Sequence, residues 1–197
     1  MADTTTVVEG KVKYRDGRKW KPRWCVLKKP SPVAGKLLLL LLYKDVKEAI
    51  KDGCKPKSCF PIEHFYGLQS GFTYEKENNI MAIICQKQIT LFSFENREDL
   101  IQFEIKIRRS LGEGNFHIFS EHQFPVRVHK MPSNSKLPQD LIRMHIQGQK
   151  FCLTSNVPPK ILQCWQISDL RRFGTVEGKF LFEGGSRCNK GKYSGAL

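Results

Sequence analysis

An Asp-Gly pair at positions 16 and 17, set between two stretches of alternating apolar and polar residues, constrains this chain more than any other short feature. Val8, Gly10, Val12 and Tyr14 alternate with Glu9, Lys11 and Lys13. That period of two predicts a strand with one face toward a core. Asp-Gly is among the strongest hairpin signals, because glycine takes positive φ without steric cost. The turn Arg15-Asp-Gly-Arg18 should therefore return the chain as a second strand, Trp20 to Leu27. Trp24 and Val26, joined by Trp20, fall on one face of that strand and read as core.

Lys36 to Lys44 carries six consecutive leucines. Leucine propensity alone allows a helix there. The run is short and bounded by Pro-Ser-Pro-Val-Ala-Gly and by Lys-Asp, so a buried strand is the favoured reading. Shorter strands are expected at Ser58 to Ile62, Ile80 to Cys85 and Ile89 to Phe94. A helix then closes this half. Asn96 is placed to cap it, Glu98 and Asp99 suit its first turn, and Arg108 and Arg109 suit the last. Leu100, Phe103, Ile107 and Leu111 form one apolar stripe at i, i+3, i+7 and i+11. Several antiparallel strands closed by one amphipathic helix describe a small capped barrel.

The pattern restarts after Ser110 to Asn115, where two glycines and an asparagine suggest a helix end and a linker. Strands are expected at Phe116–Ser120, Phe124–His129, Leu141–Ile146, Lys150–Leu153, Gln163–Ile167 and Lys179–Phe182. Gln147-Gly148 should make a hairpin turn, and Pro132 to Ser135 an exposed loop. No second closing helix is visible before Leu197.

Charge narrows the function. Thirty-three Lys and Arg against 19 Asp and Glu give a formal +14, which favours an anionic partner. From Gly10 to Lys29 there are nine basic residues (11, 13, 15, 18, 19, 21, 23, 28, 29) and one acid, Asp16. The longest apolar run, Leu37 to Tyr43, is far short of the roughly 20 residues that span a bilayer. The first residues show no signal peptide, and Ala2 rules out N-myristoylation. Seven dispersed cysteines (25, 54, 59, 85, 152, 164, 188) without a CxxC pair suggest reduced thiols and a cytoplasmic setting.

Three segments of the first half resemble a pleckstrin-homology (PH) domain: Glu9-Gly-Lys-Val-Lys, Trp20-Lys-Pro-Arg-Trp-Cys-Val-Leu27, and the leucine strand ending Leu42-Tyr43-Lys44. Two segments of the second half resemble a phosphotyrosine-binding (PTB) domain of insulin-receptor-substrate type: Trp165-Gln-Ile-Ser-Asp-Leu-Arg-Arg-Phe-Gly174 and Phe180-Leu-Phe-Glu-Gly-Gly-Ser-Arg-Cys188. The two in this order, over about residues 7–188, resemble the downstream-of-kinase (Dok) adaptor family. Arg15-Asp-Gly-Arg-Lys-Trp-Lys-Pro-Arg-Trp24, Lys29-Pro-Ser-Pro-Val-Ala34 and Ser168–Gly174 are nearest to the member that activates the muscle-specific receptor tyrosine kinase at the neuromuscular junction.

The resemblance implies a mainly β fold with one capping helix, an α+β arrangement of two tandem PH-superfold barrels. A PH domain is expected over 7–111, a linker over 112–123 and a PTB domain over 124–197. In place of the usual tryptophan of the PH closing helix stands Phe103, a tolerable core replacement. The PTB pattern continues with two more strands and a helix that walls the peptide groove. This chain ends first, so its second barrel is expected to be truncated at the C-terminus.

The resemblance also implies the sites. A phosphoinositide headgroup would meet Lys11 and Lys13 on the first strand and Lys21 and Arg23 on the second, expected to share a face by the strand period, with Arg18 and Lys19 on the loop. Phosphotyrosine would meet Arg172 and Arg187, flanked by Arg171, since guanidinium forks bind phosphate oxygens in a geometry lysine does not reproduce. Gly184-Gly185 would let the backbone run close to the ligand, and the peptide would add a strand near Phe180–Glu183. The implied protein is a peripheral adaptor at the inner face of the cell membrane and at the synapse. Its partners would be a phosphoinositide surface, a tyrosine-phosphorylated receptor kinase and a second copy as homodimer.

Other chemistry is thinly supported. Cys54, Cys59 and His64 lack a fourth ligand for zinc. His117, His122, His129 and His145 read as strand or surface residues, and no P-loop, HExxH or nucleophile elbow occurs. No enzyme, metal or cofactor is expected. A nucleic-acid binder remains an alternative on Trp20 and Trp24 beside basic residues, although nucleic acid is not the expected partner. A lipid-binding scaffold without phosphotyrosine binding is another.

Overall fold

The computed structural model describes residues 5–30, 38–112, 121–128, 137–138, 140–184, 188 and 194–196. They fall into two compact units, Met1–Phe119 and Ser120–Leu197.

The first unit is a seven-stranded antiparallel sheet and one long helix. Its strands are β1 (Thr6–Asp16), β2 (Lys19–Lys28), β3 (Leu39–Tyr43), β4 (Ser58–Pro61), β5 (Phe65–Tyr74), β6 (Glu77–Cys85) and β7 (Gln88–Ser93), in the order β4-β3-β2-β1-β7-β6-β5. Gly17, at φ 57°, makes the turn that the Asp-Gly pair predicts. The leucine run is a strand: Leu38, Leu40 and Leu42 are buried, while Leu39 and Leu41 are half-exposed.

Helix α2 (Arg97–Gly112) closes the unit. The amide of Asp99 donates to Asn96 Oδ1 at 2.8 Å, the expected cap. Leu100, Phe103, Ile107 and Leu111 are all buried. The Phe103 ring packs on Phe94 at 5.1 Å and lies close over Gly10. A Cβ added at Gly10 would sit 3.2 Å from Phe103 Cε2, so the helix reaches the sheet because β1 has no side chain there.

Two elements of this unit escaped the sequence reading. A one-turn helix, α1 (Val46–Ile50), follows β3, so the closing helix is not the sole helix of the unit. Asp45 caps it by accepting from the Glu48 amide at 3.0 Å, and Glu48 Oε2 accepts from the Lys44 amide at 3.1 Å, a near-reciprocal cap. Strand β5 begins Phe65-Tyr-Gly-Leu-Gln69, all buried, so it lacks the alternation that marks a half-exposed strand.

The tryptophan face is also corrected. Trp20, Trp24 and Val26 share a face of β2 as expected, and Val26 is buried, but that face lies opposite Cys25 and Leu27, which point into the main core. Trp20 and Trp24 are half-buried there and hydrogen-bond to Glu75 and Glu9.

The second unit holds a four-stranded sheet of β8 (Glu121–Val126), β9 (Ile142–Gln147), β10 (Lys150–Thr154) and β11 (Ile161–Gln166), in the order β11-β10-β9-β8. A three-stranded sheet follows: β12 (Leu170–Val176), β13 (Lys179–Gly184) and β14 (Ser194–Ala196). One core joins them. Phe151 and Trp165 stack at 4.9 Å, and Phe182 of the second sheet meets them edge-on at 5.5 and 5.1 Å. Gly148, at φ 56°, makes the predicted hairpin. β8 begins at Glu121, inside the stretch expected to be a linker. The strand expected at Phe116–Ser120 and the loop at Pro132–Ser135 lie outside the described residues.

Candidate functional site

The β1–β2 hairpin carries all six residues expected to meet a phosphoinositide, but not on one face. A tight turn at Gly17-Arg18 pairs Asp16 with Lys19, and every pair above it follows. Lys11 therefore faces Trp24 and Lys13 faces Pro22, while Lys21 faces Tyr14 and Arg23 faces Val12. Paired residues share a face, and Val12 belongs to the core. Lys11 and Lys13 thus lie on the outer face. Lys21 and Arg23 extend the inner face toward the open end, with Arg18 and Lys19 exposed at the tip. An odd-with-even register separates residues that the period of each strand, taken alone, would group together.

Carboxylates from the neighbouring strands answer the outer cations. Lys11 Nζ lies 3.4 Å from Glu95, Lys13 Nζ lies 2.7 Å from Glu77, and Arg15 grips Glu75 through two bonds of 2.7 and 2.6 Å. Trp20 Nε1 donates to the same Glu75 carboxylate at 3.1 Å, and the Arg15 guanidinium sits over the Trp20 and Tyr74 rings. Burial pushes the Glu77 carboxyl up. Its hydrogen bonds from Lys13 and Ser93 outweigh that and hold it below the usual carboxylate range.

A cavity of about 410 Å³ opens beside this ladder, lined by Lys11, Lys13, Lys76, Glu77, Ser93 and Glu95 among others. The sequence reading missed Glu75, Glu77 and Glu95. Their signal was the acid-Lys-acid turn at 75–77, whose sign opposes the hairpin.

The inner cations are less engaged. Lys21 Nζ bonds Asp16 at 2.5 Å, and that contact lowers the Asp16 carboxyl. Arg23 Nη1 donates to the Pro22 carbonyl at 2.8 Å. Among the described residues, Arg18 and Lys19 have no side-chain ion pair.

In the second unit, Arg171 and Arg172 are exposed on β12. Arg171 Nη1 lies 3.4 Å from Glu183 Oε1, and a register shift separates Leu170 from Arg172. Arg187 and Gly185 lie outside the described residues. The peptide edge is corrected. β13, containing Phe180–Glu183, is hydrogen-bonded on both sides by β12 and β14. Glu177 and Gly178, at φ 50° and 73°, fold the chain into a hairpin and make Leu170–Val176 a strand in its own right. Among the described residues, β12 and β14 are the two edges of that sheet, and β12 is the one that carries Arg171 and Arg172.

Among the described residues, no group of three or more His, Cys, Asp or Glu is placed to hold a metal ion. No described helix is long and apolar enough to cross a membrane.

The PH domain family model matches residues 6–112, the sheet-and-helix unit just described. The chain belongs to the PH domain family. Its PH unit is followed by residues that extend the similarity to the curated proteins named Dok-7. The human protein is 41% identical over 182 residues, covering 92% of this chain and 34% of that one. The Takifugu rubripes protein is 41% identical over 188 residues, covering 95% and 35%. The chain thus spans about a third of the length of these relatives, and the Dok resemblance is met by them. Among solved structures, the C-terminal PH domain of pleckstrin in complex with D-myo-Ins(1,2,3,5,6)P5 matches with a TM-score of 0.42 at 16% identity, covering 54% of this chain and 95% of that one. Autoinhibited Vav1 matches with a TM-score of 0.41 at 16% identity, covering 70% and 24%.

Proposed function

We propose that the chain acts as a non-catalytic adaptor at the inner face of the cell membrane. Its PH unit binds phosphoinositide headgroups at the open end of the β1–β2 hairpin. Arg18, Lys19, Lys21 and Arg23 make the principal contacts, and Lys11 and Lys13 flank them. The observation that carries this reading is the division of the hairpin cations: the outer set is matched by Glu75, Glu77 and Glu95, and the tip is left with a local positive excess. Each unneutralised cation near an anionic surface contributes about 1 kcal/mol.

The second unit acts as a PTB domain of insulin-receptor-substrate type, the second barrel of the pair. A phosphotyrosine segment of a receptor kinase adds a strand to the open edge of β12, with its phosphate held by Arg171, Arg172 and Arg187. The likeness to Dok-7 proteins supports the muscle-specific receptor kinase as partner and the neuromuscular synapse as setting. Two weak anchors on one chain reinforce each other through effective concentration, and a homodimer would bring two kinases together.

Sedimentation with vesicles containing phosphatidylinositol bisphosphate tests the lipid site. Lys19→Glu with Arg23→Glu should abolish binding while the melting temperature stays within a few degrees. Full binding by that folded variant would overturn the site.

A further inference from the structure

The second unit carries a cysteine pair that the adaptor reading does not use. Cys152 on β10 and Cys164 on β11 are direct cross-strand partners, so their side chains lie next to each other on one face of the sheet. Directly opposed residues of an antiparallel pair hold their Cβ atoms about 4.5–5.5 Å apart. A disulfide asks for a Cβ separation of about 3.5–4.5 Å, within reach of a small strand adjustment. Among the described residues no other two cysteines share a register: Cys25 faces Leu42 and Gly10, Cys59 faces Leu41, and the Cys188 thiol donates to the Asp169 carbonyl.

We propose that Cys152 and Cys164 form a reversible disulfide, a site of oxidative modification at the edge of the four-stranded sheet. β11 is the outermost strand of that sheet, and Cys164 is half-exposed on it, whereas Cys152 is fully buried. The adjacent Cys164 thiol, together with burial, pushes the Cys152 thiol well above its ordinary range, so Cys152 stays protonated and inert until its partner reacts. A hydroperoxide such as hydrogen peroxide therefore meets Cys164 first. The Cys164 thiolate attacks one peroxide oxygen, the O–O bond breaks, and a sulfenic acid and one water result. Cys152 gives up its proton and attacks the Cys164 sulfur. The S–S bond forms, the S–O bond breaks and the second water leaves. Two thiols are oxidised and one peroxide is reduced.

The consequence is local. β11 runs through the short turn Ile167–Asp169 into β12, which carries Arg171 and Arg172. A covalent tie from β10 to β11 pins the edge strand that delivers that segment.

The full chain, fully reduced, is treated with hydrogen peroxide under native conditions. It is then unfolded, blocked with N-ethylmaleimide, digested and mapped by mass spectrometry with and without dithiothreitol. We expect a linked peptide pair spanning Cys152 and Cys164, two hydrogens lighter than its separate parts and absent after reduction. Cys164→Ser and, separately, Cys152→Val, each confirmed folded by its melting curve, should abolish it. The proposal is overturned if both cysteines carry the maleimide after oxidation has consumed the exposed Cys59. It is equally overturned if dimedone traps a Cys164 sulfenic acid that never converts to the linked pair.

Discussion

Arg15 and Glu75, 60 residues apart in sequence, meet through two parallel hydrogen bonds of 2.7 and 2.6 Å, and the Trp20 indole donates to the same carboxylate. The pair fastens the turn end of the β1–β2 hairpin to the β5–β6 turn, where Glu75 itself takes φ 56°. An arginine held in this way is committed to structure and is not available to a ligand. Replacing it by lysine keeps the charge and loses the fork. Arg15→Lys should therefore lower stability by about 1 kcal/mol, discounted for the partial exposure of Glu75, and leave vesicle binding unchanged. Denaturant melts beside a sedimentation assay check both halves.

Glu77 has the opposite significance, because its partner is a candidate lipid contact. Glu77→Gln removes the charge opposite Lys13 and keeps the side-chain shape. Affinity for anionic vesicles should rise about fivefold, the equivalent of about 1 kcal/mol for one released cation. No gain in a vesicle titration would show that Lys13 stays remote from the bilayer.

The same carboxylate sets a pH dependence. Its folded value is lowered from the ordinary 4.5. The folded state then binds fewer protons than the unfolded state near that pH. The stabilisation is present in full above about pH 4.5 and is lost as pH falls through the folded value. Melting temperatures from pH 6 downward should decline less steeply below about pH 4.5 in Glu77→Gln than in the parent.

Gly10 tests the helix seat. A valine there would press on the Phe103 ring, 3.2 Å from the first added carbon. Gly10→Val should destabilise the PH unit by about 1–3 kcal/mol, the usual scale of overpacking. Phe103→Leu in the same background should recover part of that loss. A valine variant as stable as the parent would mean that the helix shifts freely over β1.

On the second unit, Arg172→Ala should remove phosphate-dependent binding of a receptor phosphopeptide, whereas Lys179→Ala, at the far end of β13, should not. Calorimetric titration with phosphorylated and unphosphorylated peptide separates the two. Equal affinity for both peptides would remove the phosphotyrosine assignment.

What the sequence determined by itself was local. The Asp16-Gly17 turn, the strands on either side of it, the alternating leucines and the stripe of α2 each follow from spacings within a few residues, where backbone geometry and side-chain period act directly. β5 was not legible, because a stretch buried on both faces has no alternation to read. The partners of the hairpin cations were decided only by the tertiary structure. The register that sends Lys13 outward and Arg23 inward depends on one residue of turn geometry, and a one-residue slip would exchange the faces. Glu75, Glu77 and Glu95 reach the hairpin across 60, 64 and 84 residues of chain because β7 pairs with β1 and β6 with β7. In the second unit the β12–β13 hairpin is local, but β12 is left as an edge because β13 takes β14 as its other neighbour, an arrangement of the folded sheet that no single segment carries.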